Sequence, residues 1–134
     1  MAGAAGICVD AQGRVLLAPQ GGPEERRAWA VPGGGVREGE MMPDCCVREV
    51  WEETGYRVAV RRSLGVKTSS PAEPGRRFEL HIFEVEPIGD AVALQDPDGF
   101  IHAVGWFRRG QLRDLDFAFP EDRDLILGLL GTAP

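Results

Sequence analysis

Glu49, Glu52 and Glu53 stand at i, i+3 and i+4 in the run Arg48-Glu49-Val50-Trp51-Glu52-Glu53. On a helix, at about 100° per residue, that spacing gathers three carboxylates into one narrow stripe. Like charges gathered this way raise one another's pKa values and cost stability unless a cation sits among them. Carboxylate oxygens are hard ligands, no histidine lies nearby in the sequence, and the neighbouring thiols are soft. The matching cation is therefore Mg²⁺, with Mn²⁺ as a substitute, rather than zinc. A solvated acidic face has the same pattern, so the triplet alone leaves both readings open. Arg48 lies one turn before Glu52 and can hold that carboxylate by charge-assisted hydrogen bonds. As a plain surface ion pair it would contribute under about 1 kcal/mol.

The carboxylates need a helix, and residues 43–54 supply its signals. Pro43 suits the first helical position, Asp44 the positive end of the dipole, and Gly55 the residue past the end. Ahead of it, Trp29-Ala30-Val31 is a short apolar segment, and Pro32-Gly33-Gly34-Gly35 predicts a turn whose backbone can approach a ligand closely. Residues 19–27 are rich in turn formers and charge and read as a surface loop. Arg26 and Arg27 from this loop, with Arg37 beyond the glycines, are candidates for substrate phosphates, or else solvated loop residues. Trp29 and Trp106 fit either nucleobase stacking or packing.

Further elements are predicted around this centre. Ile7 and Val9, then residues 15–18, read as a hairpin turned by Asp10-Ala11-Gln12-Gly13. Residues 56–66 and 78–85 read as strands joined by a loop over 69–75, and residues 101–107 as another strand. Pro120 opens a last helix whose Leu125, Ile126, Leu129 and Leu130 form an apolar stripe.

With 134 residues, 43% of them hydrophobic and 27% charged, the chain reads as one folded domain over residues 1–134. A net charge of −6 argues against a broad basic surface for nucleic acid. Lys67 is the sole lysine among 15 basic residues. Three cysteines, Cys8 and the adjacent Cys45 and Cys46, make a poor disulfide framework and point to a reducing cytoplasm. No signal peptide or membrane span is read, since no apolar run is long enough.

Gly34, Glu40 and then Arg48-Glu49-Val50-Trp51-Glu52-Glu53-Thr54-Gly55-Tyr56 together resemble the complete Nudix box, the residue pattern of the Nudix hydrolase family. The lead-in Trp29-Ala30-Val31-Pro32-Gly33-Gly34 is similar to the family's as well. The resemblance implies an α/β fold, an α/β/α sandwich with a mixed sheet between helices. It also implies that Glu49, Glu52 and Glu53 hold Mg²⁺, helped by the carbonyl of Gly34 and by Glu40, while Arg48 orients Glu52. Either Glu52 or Glu53 would accept a proton from the attacking water. The implied substrate is a small nucleotide, with no nucleic acid or membrane partner, handled by a monomer or homodimer.

Within the family, a compact chain is similar to the nucleoside-triphosphate pyrophosphohydrolases, which release a nucleoside monophosphate and pyrophosphate. Pro71 is similar to a proline of the ADP-ribose-hydrolysing members, so ADP-ribose or a nucleotide sugar is the alternative substrate. A module that senses a nucleotide without cleaving it and a diphosphate isomerase of similar fold are the readings from other classes. The chain departs from the family at two places. Cys45 and Cys46 stand where small residues are usual, and Phe100 and Ala103 precede Trp106 where glutamates are expected. Asp98 and His102 are the local candidates to replace them.

Overall fold

Residues 2–6 read Ala-Gly-Ala-Ala-Gly, so neighbouring chains can approach their backbone closely from either face. In the computed structural model, which describes residues 1–20, 28–69, 77–89 and 104–131, they begin β1 (Ala2–Cys8). This strand is buried from Gly3 onward and pairs antiparallel with β4 (Gly33–Gly35) and parallel with β6 (Phe78–Pro87). Antiparallel to β6 runs β5 (Val58–Ser69), completing a four-stranded mixed sheet in the order β4-β1-β6-β5. A smaller antiparallel sheet has the order β3 (Ala28–Ala30), β2 (Val15–Gln20), β7 (Gly105–Phe107).

The period-two alternation of β1 distributes the core between two faces. Ala4 and Cys8 join Leu16, Cys46, Val50 and Val85 beneath α1 (Met42–Thr54). Ile7 joins Leu17, Ile82, Leu112 and Ile126 beneath α2 (Glu121–Leu130). The expected α/β architecture, a mixed sheet with helices, is the one observed. The helix limits agree with the sequence signals: Pro43 lies in the first turn of α1, and Gly55 ends it in the left-handed region at φ 77°.

Two local expectations are corrected. The turn after β1 forms as read, with Asp10 Oδ1 accepting from the backbone N–H of Gln12 and of Arg14 at 3.0 and 2.8 Å. Its flanking strands do not form a hairpin, however. A single Val9–Val15 bridge links them before they diverge, and β1 pairs instead with β6 along its whole length and with β4 over Gly3–Ala5. The second correction concerns Gly33, Gly34 and Gly35, which form a strand rather than a turn, with none of them at positive φ.

Close approach, and not backbone freedom, explains Gly33. A Cβ at this position would lie 2.6 Å from Ala5 Cβ and 2.7 Å from the Ala4 carbonyl oxygen. Gly33→Ala is accordingly expected to lower the unfolding free energy by about 1–3 kcal/mol. A urea titration checks this, and an unchanged midpoint would show that the β1–β4 contact can give.

Elsewhere the boundaries shift. β5 extends to Ser69 and shifts register against β6 at Val60/Arg62 and Ser63/Gly65. A 3₁₀ helix at Arg109–Asp114, not expected from the sequence, buries Leu112 and receives Arg123, whose guanidinium donates to the carbonyls of Leu112 and Leu115 at 3.1 and 2.7 Å. Pro71, Asp98, His102, the first three residues of the predicted 101–107 strand and most of the 69–75 loop lie outside the described residues. No helix among those described is long and apolar enough to cross a membrane.

Candidate active site

Burial of Cys45, Cys46, Val50 and Thr54 against the sheet fixes the rotation of α1. Burial pushes the Cys8 and Cys46 thiols up to about 12, leaving both as uncharged packing groups. Thr54 locks the end of the helix, donating from Oγ1 to the Val50 carbonyl at 2.6 Å and accepting from the Tyr56 N–H at 3.2 Å. Glu49, Glu52 and Glu53 are thereby held on the side of the helix that meets β4 and the loop to Glu40.

Arg48 sits among the carboxylates. Its Nε and Nη2 bind both oxygens of Glu40 at 2.8 and 2.9 Å, while Nη1 binds Glu49 at 2.7 Å and Glu52 at 3.1 Å. Nη2 also donates to the Gly35 carbonyl at 2.9 Å. The Arg48 side chain is only 17% exposed. Its hydrogen bonds, with the Arg37 N–H adding to them, hold the Glu40 carboxyl down at about 2. The expected Arg48–Glu52 contact is present, but the two-oxygen bond to Glu40 is the larger one. Arg37 reaches the same cluster, donating from Nη2 to Glu52 at 3.2 Å.

Glu53 is held apart from this guanidinium. One of its oxygens accepts the Gly33 N–H at 3.0 Å. Burial pushes its carboxyl up to about 7, with the charges of Glu49 and Glu52 adding to the rise and the Gly33 bond opposing it. This bond was not legible in the sequence, since its partners stand 20 positions apart and are brought together by the sheet. Gly34 completes the cradle, because a Cβ on it would run into the Glu49 carboxylate. The Gly34 carbonyl accepts a weak bond from the Cys45 thiol at 3.7 Å.

Among the described residues, no three His, Cys, Asp or Glu side chains are arranged as a closed cation site. Arg48 takes inward oxygens of Glu40, Glu49 and Glu52 instead. The donor chemistry still fits a hard divalent cation: every candidate group is an oxygen, and the side chain missing from Gly34 leaves Glu49 free to lie against the strand.

The remaining candidates separate. Trp29 packs edge-on against Phe107, with ring centroids 4.8 Å apart, in the core beneath α2 and not among the carboxylates. Trp106 donates to the Tyr56 hydroxyl at 3.2 Å and packs against the core beneath α1. Arg26 and Arg27 lie outside the described residues.

A family model for the NUDIX domain matches residues 1–128. The chain belongs to the Nudix family. An ADP-ribose pyrophosphatase of Methanocaldococcus jannaschii is 30% identical over 88 residues, 66% of this chain and 52% of that protein. A putative 8-oxo-dGTP diphosphatase 2 of Mycobacterium tuberculosis is 29% identical over 110 residues, 82% of this chain and 74% of that protein. The chain thus spans about half the length of the first of these curated relatives. Among solved structures, a NUDIX hydrolase from Nitrosomonas europaea superposes with a TM-score of 0.72 at 19% identity, covering 96% of this chain and 88% of that one. At that identity the likeness establishes the Nudix fold alone.

Proposed function

We propose that this Nudix domain is a Mg²⁺-dependent pyrophosphohydrolase that cleaves a nucleoside triphosphate to the monophosphate and pyrophosphate. The observation that carries the reading is Glu53, a carboxylate desolvated beside Glu49 and Glu52 with one oxygen fixed by the Gly33 N–H. Such a group is costly to ionise unless a cation and its anionic ligand come to it.

Glu49, Glu52, Glu53 and the Gly34 carbonyl are the groups that would hold the cation. When bound, it neutralises the diphosphate and acidifies an attacking water. Glu53 accepts the proton of that water, its carboxylate held in place by the Gly33 N–H. Arg48 is a positioning residue: its fork sets the Glu49 and Glu52 carboxylates while anchored on Glu40. Arg37, two-thirds exposed and paired with Glu52, is a cation that would turn to a terminal phosphate.

A second reading, hydrolysis of ADP-ribose, is favoured by the name of the Methanocaldococcus relative. Product analysis with Mg²⁺ over nucleoside triphosphates, ADP-ribose and nucleotide sugars decides between them. Monophosphate plus pyrophosphate is the expected result. AMP from ADP-ribose alone would select the second reading, and tight metal-dependent binding without turnover would make the domain a sensor.

A further inference from the structure

The two oxygens of Glu52 are held by different guanidinium groups. Oε1 accepts from Arg37 Nη2 at 3.2 Å, and Oε2 accepts from Arg48 Nη1 at 3.1 Å. The two arginines are fixed to different degrees. Besides Glu52, the Arg48 guanidinium binds both oxygens of Glu40, one of Glu49 and the Gly35 carbonyl. Arg37 is two-thirds exposed, and among the described residues its side chain hydrogen-bonds to Glu52 alone. Its backbone, by contrast, is pinned. The Arg37 N–H donates to Glu40 Oε1 at 3.1 Å, and the Arg37 carbonyl accepts the Glu40 N–H at 3.0 Å. The side chain is therefore an arm on a fixed base, tied at its tip to one oxygen of a candidate cation ligand.

An exposed ion pair contributes little, because water solvates both partners and a long side chain loses freedom in making it. A hard divalent cation carries twice the charge and approaches a carboxylate oxygen more closely than a guanidinium nitrogen does. Arg37 is thus readily exchanged at Glu52 Oε1. Arg48 is not, since leaving Oε2 would disturb its bonds to Glu40, Glu49 and Gly35 as well. Glu52 can therefore give up one arginine while the other keeps its carboxylate oriented.

Resting on the reading of Glu52 as a cation ligand, we infer that Arg37 is a displaceable counter-ion: it holds Glu52 Oε1, yields that oxygen to a divalent cation, and then pairs with the polyphosphate. Two binding events that share one side chain are coupled, and the coupling is reciprocal. Cation uptake supplies a guanidinium without a carboxylate partner, and an anion that engages Arg37 uncovers a Glu52 oxygen. Arg37 therefore weakens binding of the cation alone and strengthens binding of the cation together with its polyphosphate. The site is tuned against filling with free cation, and the tuning lies in a residue that binds Glu52 from outside the helix carrying the carboxylates.

Two calorimetric titrations of the intact protein test this without turnover: Mg²⁺ alone, and inorganic pyrophosphate at a fixed Mg²⁺ concentration. Arg37→Gln keeps the backbone bonds to Glu40 and removes the charged tip. It should bind Mg²⁺ alone about three- to fivefold tighter than wild type, and pyrophosphate about tenfold more weakly. Damage to the site would weaken both, so the opposite signs set exchange apart from disruption. Arg57→Gln removes the same charge from a side chain that stacks on Trp51, 4.4 Å from the ring centre, and should leave both affinities within about twofold of wild type. An Arg37→Gln protein with unchanged or weaker Mg²⁺ binding, or with unchanged pyrophosphate binding, would overturn the inference. So would an Arg57→Gln protein that reproduces both changes. A wild-type protein that takes up no Mg²⁺ would remove the cation reading and the inference with it. Equal Mg²⁺ affinity in wild type and Arg37→Gln would leave that reading standing and remove the exchange alone.

Discussion

Glu53→Gln is expected to abolish most turnover while leaving the fold intact, with kcat falling by about 10³-fold or more. Glutamine is nearly isosteric and its carbonyl oxygen can still accept the Gly33 N–H, so the local backbone contact is kept. The substitution removes the negative charge and the proton acceptor together. The same variant makes a thermodynamic prediction in the absence of any cation. Burial raises the folded-state pKa of Glu53 from 4.5 to about 7, so the folded state binds more protons than the unfolded one between those values. Stability of the metal-free protein is then highest at and below about pH 4.5 as far as this group is concerned, and falls as pH rises through 7.

Glu53→Gln removes that loss and should stabilise the metal-free protein at pH 8 by about 1–3 kcal/mol, with no gain at pH 4.5. Urea titrations at the two pH values check it. A variant that loses activity yet gains no stability at pH 8 would show that Glu53 is not desolvated as described. Near-normal activity would remove it from the chemistry altogether.

The same physical distinction explains what the sequence revealed about the fold. Short-range rules located α1, because Pro43 and Gly55 act through their own backbone preferences. They likewise found the i, i+4 contact from Arg48 to Glu52, which a single turn of helix brings together. They missed the start of β1 and all of β4, since alanine and glycine are poor strand formers by intrinsic preference. Those residues become strands for a tertiary reason: α1 and the neighbouring strands approach so closely that only small side chains fit. A Cβ on Gly6 would lie 2.9 Å from a Val50 methyl carbon and 3.0 Å from the Cys46 sulfur. The hairpin failed likewise, because Asp10 makes a turn whatever the strands beyond it choose to pair with. In the site, the Gly33 bond to Glu53 and the Arg48 grip on Glu40 depend on where β4 and its following loop are laid down, which no local spacing encodes.

Arg48→Ala is the second substitution with a large expected effect, and it separates positioning from chemistry. Without the guanidinium, Glu40, Glu49 and Glu52 face one another with their shared counter-charge gone, and the Gly35 carbonyl loses its donor. Activity should fall by about 10–100-fold, the scale for groups that orient ligands rather than react. The metal-free protein should be less stable at neutral pH. That deficit should depend on pH in a definite direction. Arg48, with a smaller part from Arg37, lowers the folded-state pKa of Glu40 from 4.5 to about 2, so the contribution of Arg48 is present above pH 4.5 and lost as pH falls toward 2. The stability gap between wild type and Arg48→Ala should therefore close across that acid interval.

Arg48→Lys supplies the complementary test. A lysine restores one positive charge but cannot bind both Glu40 oxygens while reaching Glu49 and Glu52, because an ammonium is a point and the guanidinium a planar fork. It should recover part of the stability and little of the activity. Full recovery of activity by lysine would mean that charge alone suffices. A gap that stays constant down to pH 2 would mean that the Glu40 contact adds nothing to the folded state.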